Sequence, residues 1–77
     1  MIKLKVKDIL QDRDMSMSKL SRLSDVSFST ISRICNDPLY SPTLNTLERI
    51  AVALGVAISN LYEEIPDNKR NIDNNSN

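Results

Sequence analysis

The sequence predicts an all-α fold, a small domain of five short helices. Three observations support it. Apolar residues recur at spacings of three and four in separate runs, most regularly at Leu44, Leu47, Ile50, Ala51 and Leu54. Ser16, Ser27 and Thr43 stand just before such runs, where a short hydroxyl side chain caps the free amides of a helix start. The chain has 77 residues, enough for one domain with a modest core.

Each element has its own local cause. Ile2-Lys3-Leu4-Lys5-Val6 alternates apolar and polar residues, a strand signal, but it is short and runs into a helical pattern. Val6, Ile9, Leu10 and Arg13 set the first helix over about residues 5–13. Ser16 caps a second helix ending near Ser24, and Met15 before the cap is placed to pack on Leu20 as a staple. Asp25 closes that helix in a left-handed conformation, where its carboxylate meets the negative end of the helix dipole. Ser27 caps a third helix from Phe28 to about Cys35, which Asn36-Asp37-Pro38 stops. A polar loop through Tyr40-Ser41-Pro42 leads to Thr43 and the fourth helix, which ends at Gly55, the only glycine. Val56 and Ile58 return to the core, residues 59–61 make a short fifth helix, and residues 62–66 are extended or irregular. From Asp67 onward the chain is rich in asparagine and charge, so 1–66 is expected to be the folded domain and 67–77 a disordered polar tail.

Composition narrows the chemistry. A single cysteine forms no internal disulfide, and Cys35, among apolar neighbours, is expected to be a buried, inert thiol. The chain has no histidine, so the usual zinc spacings and Ser-His or Cys-His pairs are absent. No paired carboxylates, nucleophile with base or metal-ligand cluster can be assembled, so an enzyme is not expected. Neither a membrane-length apolar run nor a signal-type N-terminus is present, and a cytoplasmic protein without cofactor is the expectation. The formal net charge is zero, but it is unevenly spread. Residues 1–60 hold eight basic and six acidic side chains, a net of +2, and residues 61–77 hold two and four, a net of −2. The body is mildly basic, so long-range attraction to a polyanion is weak and specific contacts or dimerisation must supply more of any affinity.

Residues 16–36 are the most informative stretch. Leu20 faces inward from one helix with the small Ser21 beside it, Val26 plugs the turn, and Ile31 and Ile34 face inward from the next. Phe28, Ser29, Ser32 and Arg33 are left on the outside of that second helix. This is the layout of a helix-turn-helix, which presents its second helix to a DNA groove.

On these residues the chain resembles the Cro and phage-repressor type helix-turn-helix proteins, the lambda-repressor-like domains of the XRE family. The likeness covers roughly residues 4–65. It rests on Met15-Ser16 with Leu20, on Val26-Ser27, on Ser29-Thr30-Ile31-Ser32-Arg33-Ile34, and on Pro42-Thr43-Leu44-Asn45-Thr46-Leu47 through Ala53-Leu54-Gly55-Val56. Three positions depart from the family pattern. Ser21 stands where alanine is usual, and its hydroxyl can bond back to a carbonyl. Asp25 stands where glycine is common. Leu10 and Cys35 replace a frequent Arg–Glu pair, which implies an apolar contact between the first and third helices. Short members sometimes close the domain with a two-stranded sheet, and Ile2–Lys5 with Tyr62–Ile65 fit that arrangement.

The resemblance implies double-stranded DNA as partner and assigns residues to it. Phe28, Ser29, Ser32 and Arg33 would face base edges, with Phe28 on thymine methyl groups and Arg33 on guanine. Phe28 would otherwise be a staple over the second helix, and Arg33 a phosphate contact or a bridge to Asp37. Ser16, Met17 and Ser18 open the second helix, where amides and dipole favour phosphate, and Thr43 and Asn45 open the fourth. Ser27, Thr30, Asn36 and Tyr40 complete the phosphate-facing set, although Tyr40 equally suits a cover over the core edge. The expected protein is a homodimeric repressor on a near-palindromic operator, with Leu61, Tyr62 and Ile65 at the dimer surface and Leu23 as a second apolar candidate. No small-molecule substrate is expected. Two rival readings are an antitoxin that autoregulates its promoter and binds a toxin partner, and a protein-interaction module on the same fold that has lost DNA binding.

Overall fold

A computed structural model of the chain describes residues 1–66, and the expected tail lies outside them. Four helices form where the apolar spacing requires them, each burying one stripe. Helix α1 (Val6–Asp12) buries Val6 and Leu10, and α2 (Met17–Ser24) buries Leu20. Helix α3 (Phe28–Asn36) buries Ile31, Ile34 and Cys35, and α4 (Leu44–Leu54) buries Leu47, Ile50, Ala51 and Leu54. These stripes meet in one core in which Leu20, Ile31 and Ile50 have no exposed surface. Leu10 and Cys35 are both inside it where α1 packs on α3, in place of a charged pair. Met15 is half-buried against the same core.

Helix ends follow their sequence signals. The hydroxyls of Ser16, Ser27 and Thr43 accept from the amides of Lys19, Thr30 and Thr46 at 3.0, 3.3 and 3.2 Å. Asp25 has φ 58° and ψ 33°, the left-handed state expected of it. Gly55 has φ 70°, and its amide and that of Val56 return to the carbonyls of Val52 and Ala51. Helix α1 closes in the same way without glycine. Asp14 has φ 54°, and the amides of Asp14 and Met15 reach back to Gln11 and Leu10. Arg13 then donates from Nη1 to the Leu54 carbonyl at 2.5 Å, setting a cation on the C-terminal carbonyls of α4.

Two expectations are corrected. The fifth helix is a single 3-10 turn, Ile58–Leu61, so the described residues hold four α-helices. Four residues with no side-chain cap cannot sustain α-helical bonding, and the Leu61 carbonyl is taken at once by the amide of Lys5. Ser21 does not bond back along its helix. Its hydroxyl reaches forward across the turn to the Val26 carbonyl at 2.6 Å, and Ser24 makes the backward bond, to Leu20 at 2.7 Å.

The chain ends meet in a small antiparallel sheet. Strand β1 (Ile2–Leu4) pairs with β2 (Tyr62–Glu64) in the register Ile2↔Glu64, Lys3↔Glu63 and Leu4↔Tyr62. A ribbon this short holds only when packed. Leu4 supplies the packing, buried in the core beside the 3-10 turn that carries Leu61. The other edge of β1 is not idle, because the Leu4 amide donates to the Pro38 carbonyl at 2.7 Å. The N-terminal strand thereby fastens the loop that follows α3.

Candidate nucleic-acid interface

The apolar stripe of α3 dictates what its opposite side presents. With Ile31, Ile34 and Cys35 turned inward, positions 28, 29, 32, 33 and 36 form the outer stripe. Phe28 is 48% exposed, half covered and half free on this stripe. Ser29 and Arg33 are exposed, and Ser32 is half-buried.

Several of these side chains are held by neighbours. Ser27 anchors the start of the helix, donating to the Thr30 hydroxyl at 2.9 Å and lying 3.3 Å from that of Ser29. One turn before the end, the Ser32 hydroxyl accepts from Asn36 Nδ2 at 3.1 Å. Arg33 does not bridge to Asp37. Its guanidinium carbon lies 4.5 Å from the centroid of the Tyr40 ring, and Asp37 Oδ1 instead accepts the amide of Leu39 at 3.2 Å. Tyr40 is half-buried on the core, as a cover over the core edge would be, and its ring also meets Arg33 of the outer stripe.

The start of α2 adjoins the end of α3. Ser16, Met17 and Asn36 line one concavity with Lys7, Gln11 and Cys35. Ser16 and Ser18 are exposed, but the Met17 side chain packs on the core, so only its amide is free to meet an anion. Burial pushes the Cys35 thiol above its ordinary range, and nearby Lys7 offsets part of that rise. Thr43 and Asn45 are exposed at the start of α4, where the Thr43 hydroxyl also donates to Thr46 at 3.0 Å.

One assignment fails on burial. Leu61 has no exposed surface, so it cannot form a dimer contact and serves the core instead. Tyr62 and Ile65 are half-buried, and Leu23 is 53% exposed. A larger apolar surface lies beside them. Met1, Ile2, Leu39 and Leu44 stay exposed around a groove that also includes Tyr40 and Tyr62. No single run of sequence contains these residues, because the β1–loop bond brings the groove together.

A helix whose outer stripe is free, whose start is capped and whose predecessor opens beside its end matches a known arrangement. The family model for the Cro/C1-type HTH DNA-binding domain matches residues 5–67. The chain belongs to this family. A search of curated proteins finds no match. In a Cro/C1-type domain α2 and α3 are the helix-turn-helix, and the domain is a DNA-binding module of transcription regulation. Inside the turn Ser21 is bonded to the Val26 carbonyl, and at the end of α3 the Arg33 guanidinium lies over the Tyr40 ring. Among the described residues, no helix is long and apolar enough to cross a membrane.

Proposed function

We propose that the protein is a homodimeric repressor that inserts α3 into the major groove of a near-palindromic operator. The observation that carries this reading is the outer stripe of α3, exposed opposite two fully buried isoleucines in a Cro/C1-type domain. Phe28, Ser29, Ser32 and Arg33 meet base edges, with Arg33 the residue suited to guanine. Phosphates on one side take the amides at the start of α2, around Ser16, Met17 and Ser18, with Asn36 beside them. Ser27, Thr30 and Tyr40 flank the helix, and Thr43 and Asn45 serve the next phosphates along. A body with a net charge of only +2 gains little from bulk electrostatics, and two copies about one helical turn apart restore useful discrimination.

The dimer surface centres on Tyr62 and Ile65 and takes in the apolar groove of Ile2, Leu39 and Leu44 next to them. The groove has no Asp, Glu, Lys or Arg in its lining, although 26% of the chain is charged. The exposed apolar surface suits a second copy. Ile2→Asp should shift the protein toward monomer in sedimentation, and an unchanged mass would move the dimer surface elsewhere, with Leu23 next in line.

The central test is a salt-dependent gel-shift series on DNA from around the protein's own gene. Arg33→Ala should narrow the advantage of the cognate site over random DNA by about 1–3 kcal/mol. Equal loss on both DNAs would make Arg33 a phosphate contact, and no shift even at low salt would overturn the repressor reading. Neither the antitoxin nor the interaction-module reading gains an observation of its own.

A further inference from the structure

We infer that Tyr40 is a positioning residue for DNA reading, whose ring holds the Arg33 guanidinium in its reading pose. The inference rests on the proposal that α3 reads base edges. Arg33 lies in the last turn of α3, is exposed, and has a long side chain that must lose rotamer freedom on binding. Its guanidinium carbon sits 4.5 Å from the Tyr40 ring centroid, within range for a cation–π contact.

The ring is a fixed support. Tyr40 is half-buried on the core, and its amide donates to the Asp37 carbonyl at 2.9 Å. The Asp37 amide in turn donates to the carbonyl of Arg33 at 2.9 Å, so loop and helix end are joined at the residue being supported. Pro38 restricts the backbone between them, and its carbonyl accepts the Leu4 amide from β1 at 2.7 Å. Asp37 does not draw the guanidinium away, since its Oδ1 accepts the Leu39 amide.

Stacking and reading use different parts of the guanidinium. A cation–π contact engages the π face of the guanidinium, whereas pairing with guanine O6 and N7 uses the N–H groups in its plane, so the two need not compete. Arg33 therefore keeps the stack while it binds, and part of its ordering is complete before DNA arrives. The contact with Arg33 does not need the tyrosine hydroxyl, so phenylalanine should keep the cognate-to-scrambled ratio even if a phosphate contact is lost equally on both duplexes.

The test is a double-mutant cycle on the full chain. Tyr40→Leu, Tyr40→Phe, Arg33→Ala and Arg33→Ala with Tyr40→Leu are titrated against the tightest-binding duplex from the gene's own upstream DNA. A scrambled duplex of equal composition is the reference, and thermal unfolding confirms that each variant is folded. Tyr40→Leu should reduce the cognate-to-scrambled ratio roughly two- to fivefold, the size of an exposed cation–π contact. Tyr40→Phe should match the parent in this ratio, and Tyr40→Leu should have no further effect on it once Arg33 is alanine. Additive losses in the cycle, a Phe variant as weak as the Leu variant, or a ratio that rises in Tyr40→Leu would each overturn the positioning role. If Arg33→Ala alone leaves the ratio unchanged, Arg33 is not a base contact, and its assignment to guanine falls with this inference while the repressor reading stands on the gel shift. A clear Arg33 effect with additive Tyr40 loss removes only the inference.

Discussion

Asp25→Gly should stabilise the domain, because Asp25 keeps a left-handed backbone at φ 58° that glycine adopts without steric penalty. A left-handed conformation costs an ordinary residue about 1–2 kcal/mol, and Asp sits at the low end because its short side chain is tolerated there. Glycine returns about 0.4–1 kcal/mol of that through the extra freedom of the unfolded chain. Removing the carboxylate from the C-terminus of α2 adds a smaller gain. The interactions lost are slight. The Arg49–Asp25 ion pair spans 3.7 Å with the Asp side chain 98% exposed, which contributes little. The bond from Arg49 Nη1 to the Asp25 carbonyl, 3.2 Å long, uses the backbone and survives the substitution. The net gain is about 0.5–1 kcal/mol, or about 2–8 °C in melting temperature for a domain of this size. Thermal unfolding followed by circular dichroism reads it directly. Asp25→Ala is the control, since alanine removes the charge but keeps the left-handed penalty, and it should melt no higher than the parent. A glycine variant that melts at or below the parent would refute the reasoning. An alanine variant that gains as much as glycine would do so too, by tracing the effect to charge.

Three further expectations follow from other parts of the fold. Ser21→Ala should lower stability in urea by about 1 kcal/mol, although alanine is usual there in the family, because the Val26 carbonyl loses its 2.6 Å donor. Leu61→Ala should lose about 2–5 kcal/mol in the same assay, the cost of a cavity at a residue without exposed surface, and a loss near zero would return Leu61 to the surface. Cys35 should resist alkylation at pH 8 in the native protein and react once urea unfolds it. Since burial raises its folded-state value, its contribution to stability is constant below the unfolded thiol's range, near the ordinary 9.0, and falls as pH climbs from there toward the folded value. Stability that rises across that range would contradict the burial of the thiol.

Sequence reading succeeded where a structural choice depends on neighbours a few residues apart. The caps at Ser16, Ser27 and Thr43, the left-handed Asp25 and the inward stripe of Ile31 and Ile34 are all set by local spacing, and the structure has each of them. It failed where two distant segments decide the outcome. Leu61 follows a helical pattern that suits a surface, but it is fully buried in the core that Leu4 of the N-terminal strand shares. Asp14 gave no signal as a second left-handed aspartate, because the closure of α1 depends on the chain turning toward Met15. Tyr40 was ambiguous because its neighbour Arg33 lies across a proline turn whose path is fixed by Leu4. The candidate site was therefore legible along α3 and illegible behind it.

Capping and phosphate binding need not compete at these helix starts. Each cap hydroxyl takes the amide of the third helical residue, Lys19 in α2, Thr30 in α3 and Thr46 in α4. The first two amides of each helix are not used by these caps, and those are the ones positioned to meet an anion from outside the chain. Ser16 and Thr43 can then hold their helices in the bound and free protein alike. A phosphate held by neutral amides releases no condensed counterion, so it adds affinity without steepening the salt dependence. Under the proposed reading, the steepness of the salt dependence should report how many lysines and arginines reach phosphate, and the affinity left at high salt the amide and base-edge contacts. The mild charge of the body favours the second group. That makes the order of α3, and of the loop that supports it, matter more to binding than the field of the protein as a whole.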